Sequence, residues 1–278
     1  MQHRQDSFEN AQGLTIFTQQ WLPEQPLKAG ILLVHGLSEH SGRYQHLAEY
    51  FVARGFGLFT LDHPGHGRSG GTRAYVKRFA NFLTTLAEYH QAIRAAHPDL
   101  PLFVYGHSMG GLISLHFLPS AQADFRGAVL SAAPVSVPAH VSRIVILAGR
   151  LLSRLLPKVP LVPLDSSGIS RDPAVVRAYD EDPLVFSGKA TARLAAELMA
   201  AMRAAPAAAA RITLPTLVLQ GTADPIVEPG DGPLLHDQLL GSTDKTLIEY
   251  PGLFHEVHNE PEQEQVFGDV GAWLTGHL

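Results

Sequence analysis

Short blocks of apolar residues alternate along this chain with longer stretches in which apolar residues recur every third or fourth position. The blocks Leu14 to Trp21, Ala29 to Val34, Phe56 to Leu61, Leu102 to Tyr105, Gly127 to Ala132, Thr216 to Gln220 and Thr246 to Tyr250 predict strands. Helical spacing over Tyr44 to Arg54, closed by Gly55, over Phe79 to Ala96 and over Leu112 to Leu118 predicts helices between them. Strand alternates with helix, so the expected architecture is α/β, a mainly parallel central sheet flanked by helices on both faces.

The alternation breaks between Pro134 and about Ala210. No convincing strand is visible there, and prolines cluster at Pro157, Pro160 and Pro163. Ala190 to Ala210 is alanine-rich and strongly helix-forming. This division predicts one core in two parts, residues 1–134 and 211–278, interrupted by an inserted helical cap at 135–210. On a helical projection of Arg143 to Lys158, Arg143, Arg150, Arg154 and Lys158 share a sector of about 80°, while most of Val145, Leu147, Leu151, Leu152, Leu155 and Leu156 fall in the rest. Pro157 ends that helix before Lys158.

Chemistry enters at Gly106-His107-Ser108-Met109-Gly110, directly after an apolar strand and before an apolar helix. The pattern fits the G-x-S-x-G nucleophile elbow, in which a sharp turn holds out the serine hydroxyl. Side chains at the flanking glycines would collide with the neighbouring strand and the following helix. A serine hydroxyl is a weak nucleophile at neutral pH, so a base and a group orienting the base are required. In α/β-hydrolase folds these follow in the order acid, then histidine, each at the carboxyl end of a later strand. Asp224 stands at the exit of Thr216 to Gln220, and His255 beyond Thr246 to Tyr250. Asp231, Asp237 and Asp244 are rival carboxylates farther from a strand end. His258 is the rival base, one turn beyond His255 and expected to point away from the elbow. Backbone N–H groups of Met109 and Leu37 are the candidate oxyanion hole, Leu37 lying in His35-Gly36-Leu37 after an early strand. His35 precedes the serine and reads as a hydrogen-bonded support of that loop. Asp62 with His63-x-x-His66 has the residue types of a metal cluster, but it lies in a Gly/Pro loop rather than on a helix face, and it reads as loop support.

Composition narrows the setting. At 278 residues and 45% hydrophobic the chain suits one substantial core. A formal charge of −5 leaves no electrostatic footprint for nucleic acid, and with no cysteine there is no disulfide or thiolate chemistry. Met1 to Asn10 is too polar for a signal peptide, and no apolar run reaches membrane-spanning length, so the expectation is a cytoplasmic protein; hydrolysis by a serine, base and acid needs no metal and no cofactor.

His35-Gly36-Leu37-Ser38-Glu39-His40-Ser41-Gly42-Arg43-Tyr44, Asp62 to Ser69, Gly106 to Gly111 and Asp165-Ser166-Ser167 together resemble the monoacylglycerol lipases of the α/β-hydrolase superfamily. So do Tyr179 to Leu184, Gln220 to Asp224 and His255-Glu256-Val257-His258, which extends the resemblance from about Gly30 to Pro261. It implies a triad of Ser108, Asp224 and His255 and oxyanion donors at Leu37 and Met109. It further implies that Glu39, Arg43 and His258 surround a glycerol headgroup, with Tyr179 of the cap nearby. Taken alone, Glu39 and Arg43 four positions apart would read as a surface ion pair. The cap or pocket cysteines of eukaryotic members have no counterpart here. The implied reaction is cleavage of a monoacylglycerol to fatty acid and glycerol, with a lysophospholipase or broad carboxylesterase as the alternative and a cofactor-free haloperoxidase further off. Epoxide hydrolases and haloalkane dehalogenases carry Asp at the elbow, and a non-catalytic ligand-binding homologue would be expected to have lost a triad member. A lipid substrate makes peripheral membrane contact through cap residues near Leu151 and Leu155 an expectation as well.

Overall fold

A computed structural model describes residues 1–137 and 143–278. Eight strands form one sheet: β1 (Gln2–Glu9), β2 (Thr15–Leu22), β3 (Ala29–Val34), β4 (Phe56–Leu61), β5 (Leu102–His107), β6 (Gly127–Ser131), β9 (Thr216–Gly221) and β10 (Lys245–Tyr250). Their order is β1-β2-β4-β3-β5-β6-β9-β10; β2 is antiparallel to both neighbours and the rest run parallel. From β3 the chain steps outward to β4, then returns to the other side of β3 as β5. That reversal opens a crevice at the carboxyl ends of β3 and β5, where ligands of open α/β sheets bind.

The apolar blocks are continuous because their strands are covered twice. Every residue of β3, β4, β5, β6 and β9 is buried. Side chains of β3 alternate: Leu32 and Val34 join a core with α2 (Ala80–Ala96), α3 (Met109–Ala121) and α6 (Ala192–Ala209), while Ile31 and Leu33 join α1 (Gln45–Val52) and α8 (Gln263–Gly276) on the opposite face. Each fully buried Leu or Phe contributes roughly 1.5–3 kcal/mol, so the two layers hold the frame that carries the site.

Two elements depart from the sequence expectation. β1 was not expected, since its residues are polar and almost all exposed; it is an edge strand held by pairing with β2 and by His3 stacking on Trp21 at 4.8 Å. Between β6 and β9 the chain forms α4 (Arg143–Leu155), β7 (Pro160–Pro163), α5 (Pro173–Glu181), β8 (Lys189–Thr191) and α6. β7 and β8 pair antiparallel, which corrects the expectation of no strand in this region. Prolines begin and end β7, and they are tolerated because the ribbon is short and exposed. α7 (Asp231–Gln238) completes the order of elements.

The side chains of Arg143 and Val145 lie outside the described residues. Farther along α4, Leu147, Leu151 and Leu155, with Leu156 just beyond its end, are 61, 59, 69 and 55% exposed. Leu161 and Val162 of β7 are exposed too, as are Arg150, Arg154 and Lys158. No helix among the described residues is long and apolar enough to cross a membrane.

Candidate active site

β5 ends at His107 and α3 begins at Met109, so Ser108 takes the whole turn, with φ 53° and ψ −123°. A positive φ is costly for a residue with a side chain and persists here because the surroundings fix it. Ser108 N–H donates to Ser131 O at 2.9 Å, and Leu112 N–H returns to Ser108 O at 3.1 Å. A Cβ at Gly106 would lie 2.5 Å from Ser114 Oγ and 2.7 Å from Gly110 O, and one at Gly110 would overlap the Val34 carbonyl. The following helix and the neighbouring strand therefore leave room only for glycine at both positions.

The structure brings Ser108, Asp224 and His255 together. His255 Nε2 lies 2.9 Å from Ser108 Oγ, and its Nδ1 lies 2.8 Å from Asp224 Oδ2. An ionised carboxylate only accepts, so Nδ1 carries the proton and Nε2 is free to accept from the serine hydroxyl. Asp224 is fixed in turn: Oδ1 accepts from Ile226 N–H at 2.8 Å and Val227 N–H at 3.0 Å, and Oδ2 also accepts from Gln220 Nε2 at 3.2 Å. Burial opposes charge on His255, but the Asp224 carboxylate, its hydrogen bond and the nearby Glu256 and Glu39 outweigh it, and the imidazole titrates above its ordinary value. The rival carboxylates are elsewhere. Asp231 accepts from Val135 N–H at 2.9 Å and Ser136 N–H at 3.2 Å, Asp244 meets His277 at 3.1 Å, and Asp237 lies 3.6 Å from its neighbour His236.

Leu37 follows β3 and Met109 opens α3, and among the described residues neither N–H has an acceptor. The loop carrying Leu37 is held from beneath. His35 Nδ1–H donates to Gly36 O at 2.8 Å, its Nε2 accepts from His63 N–H at 3.0 Å, and His63 Nε2–H donates to His35 O at 3.2 Å. Burial pushes His35 down to about 4, His66 to about 3 and His63 well below its usual range, so all three are neutral supports. Asp62 accepts from Ser41 N–H at 2.9 Å, Ser41 Oγ at 2.6 Å and Arg68 N–H at 2.7 Å, lacing the two loops together.

Glu39 and Arg43 do form an ion pair, at 2.8 Å, but it is not on the surface. Arg43 is also held by both oxygens of Glu256, at 2.6 and 2.7 Å, and lies 4.6 Å over the Tyr179 ring. Burial raises Glu39 above the usual carboxylate range, whereas Glu256 is pulled against its own burial by Arg43 down to about 2. The side chains of Glu39 and His258 are 2 and 0% exposed. His258 stacks on Tyr44 at 4.9 Å and stands edge-on to His107 at 4.7 Å, its ring nitrogens have no partner among the described residues, and burial pushes it down to about 3. Glu39 and His258, which the resemblance places around a headgroup, are both buried side chains, and His258 stands three residues beyond His255. The sequence reading missed Glu256, which follows His255 but meets a guanidinium 213 positions away. It also missed Asp182, which accepts from His40 at 2.8 Å and ties the end of α5 to the oxyanion loop. Phe186 N–H likewise donates to Ser38 O at 2.9 Å, and Glu256 N–H to Ile169 O at 2.8 Å and His255 N–H to Gly168 O at 3.4 Å join residues 168–169 to the loop after β10.

Residues 25–262 match the family described as Hydrolase_4, serine aminopeptidase, S33. The chain is similar to the monoacylglycerol lipase of Mycolicibacterium smegmatis, 38% identical over 98% of this chain and 97% of that one. It is similar to human monoglyceride lipase, 35% identical over 96% of this chain and 88% of the other. Among solved structures it superposes on the monoacylglycerol lipase of Paleococcus ferrophilus with a TM-score of 0.84 and 30% identity, covering 95% of this chain and 99% of that chain.

Proposed function

The chain belongs to the monoacylglycerol lipase family of the α/β-hydrolase superfamily, and from that membership we propose that it hydrolyses monoacylglycerols to a fatty acid and glycerol through an acyl-enzyme on Ser108. The observation that carries the reading is the continuous relay from Asp224 through His255 to the Ser108 hydroxyl, with bonds of 2.8 and 2.9 Å. His255 Nε2 takes the hydroxyl proton as Ser108 Oγ attacks the ester carbonyl, and the Leu37 and Met109 N–H groups receive the oxyanion. Collapse breaks the acyl–oxygen bond, and His255 returns its proton to the departing glycerol oxygen. Water then attacks the acyl-serine with His255 again as base, Oγ leaves with the proton, and the fatty acid departs.

Residues 135–210 act in this reading as a cap over the crevice, supported by the bonds of Gly168, Ile169, Asp182 and Phe186 to the loops that carry Leu37 and His255. The exposed leucines of α4, beside Arg150, Arg154 and Lys158, support peripheral contact with a lipid surface, where an amphipathic helix buries its apolar side below the headgroups. The test is labelling by a fluorophosphonate together with glycerol release from 1-monooleoylglycerol. Both should be present in the native chain and absent in Ser108→Ala. Release of glycerol by a Ser108→Ala protein would place the chemistry elsewhere.

A further inference from the structure

Glu256 follows His255 in the loop after β10, and its carboxylate grips the Arg43 guanidinium fork to fork. Such a bidentate pair fixes direction as well as distance. Nη1 of the same guanidinium reaches Glu39 Oε2 at 2.8 Å. Glu39 Oε1 in turn accepts from Gly36 N–H at 2.6 Å and from the Tyr44 hydroxyl at 2.8 Å. Gly36 directly precedes Leu37, so this run of contacts leads from the residue beside the base to the peptide beside the oxyanion donor. The sheet does not make that link, because β5, β6 and β9 stand between β3 and β10. We propose that Glu256 is a positioning residue: through Arg43 and Glu39 it holds the His255 imidazole and the Leu37 N–H in register about Ser108. The inference rests on the assignment of the triad and of Leu37 made above.

A role in gripping the glycerol headgroup is the alternative. The Arg43, Glu39 and Glu256 side chains are 10, 2 and 4% exposed, and every carboxylate oxygen already has a donor, Glu256 Oε2 including Asn259 Nδ2 at 2.6 Å. The two roles differ in what they do to a substrate without glycerol. A strut between base and oxyanion hole serves every ester alike, whereas a headgroup contact serves only the ester that carries the headgroup.

Removing Arg43 outright would strand two buried carboxylates and endanger folding. Glu256→Gln keeps the size of the side chain and leaves Arg43 paired with Glu39. Arg43→Lys keeps the buried charge but loses the fork. The full-length chain and both variants are assayed on 1-monooleoylglycerol and on p-nitrophenyl acetate, with a thermal melt to establish folding and fluorophosphonate labelling of the native chain to establish the serine site. Both variants should lose about 10- to 100-fold in kcat, by the same factor on the two esters, with KM moving less than about threefold.

Glu256→Gln should in addition move the acid limb of kcat/KM to lower pH. His255 faces Asp224 from the loop after β9, Glu39, itself paired with Arg43, from the loop after β3, His107 from β5, and Glu256 and His258 from its own loop; deleting one of the negative charges makes the imidazole less basic. A residue that only supported folding would leave that limb in place. If Glu256→Gln fails to melt cooperatively, Arg43→Lys carries the comparison of the two esters. Turnover of p-nitrophenyl acetate within twofold of the native chain by either folded variant, or a loss confined to monooleoylglycerol, would overturn the proposal. An unlabelled native chain would instead overturn the serine-site assignment beneath it.

Discussion

Replacing Asp224 by Asn isolates what the carboxylate does for His255. Oδ1 accepts from two backbone donors, Ile226 N–H and Val227 N–H, at 2.8 and 3.0 Å. In Asp224→Asn the amide oxygen must stay with that pair, which leaves the NH2 group where Oδ2 stood, facing His255 Nδ1 and Gln220 Nε2. The second conflict can be relieved by rotating the Gln220 amide, whose Oε1 has no partner among the described residues, at the cost of the Gln220 Nε2–H bond to Gly221 O at 3.3 Å. The first is relieved only if His255 moves its proton to Nε2. A proton on Nε2 points at Ser108 Oγ across the 2.9 Å contact, and the imidazole can no longer accept. The variant should therefore fold as the native chain does and lose about 10⁴-fold in kcat near neutral pH, about 5.5 kcal/mol of transition-state stabilisation, the size found when a serine hydrolase histidine is held in the wrong tautomer. The assay is steady-state hydrolysis of a short soluble ester, with a thermal melt on the same sample. A loss smaller than about tenfold, with the melt unchanged, would refute the reasoning and move the orienting role to another group.

Native kcat/KM should fall on acidification with a midpoint above about 6.5, because the base must be neutral and His255 titrates above its ordinary value; a midpoint well below 6 would contradict the Asp224 contact. Stability should also fall with acid, for a separate reason. His35, His66 and His258 have folded-state values of about 4, 3 and 3, so below about 6.5 the unfolded chain binds protons that the folded chain does not. Their contribution is whole above about 6.5 and is lost as pH falls, by about 1.4 kcal/mol per pH unit for each ring until its folded value is reached. Urea melts at pH 7, 6 and 5 measure this, and equal midpoints would show that the rings are more accessible than their burial implies. Replacing Leu151 and Leu155, 59 and 69% exposed, by Ser should abolish co-sedimentation with anionic vesicles while leaving soluble-ester turnover within about twofold. Unchanged sedimentation would remove α4 as the docking element.

The strands that build the frame were legible because burial on both faces demands unbroken apolar blocks, and β3, β5 and β9 occupy those blocks to within a residue or two. The elbow was legible because its glycines answer a local steric demand, and Asp224 and His255 because each stands at the end of a strand. β1 left no such mark: an exposed polar edge strand is specified by the partner it pairs with rather than by its own residues. Glu39 and Arg43 show the same limit in the site. Spacing alone makes them an ion pair on one turn, and whether that pair meets water or a second carboxylate depends on a loop that arrives from the far end of the chain. Burial of His258 and the grip of Glu256 on Arg43 are likewise products of packing between segments distant in sequence. The sequence by itself determined the local geometry and the chemical capacity of the triad, since both follow from short-range sterics and residue type. Only the tertiary structure decided which polar groups are sealed from solvent and which are paired, because desolvation and ion pairing depend on every segment that closes around a side chain.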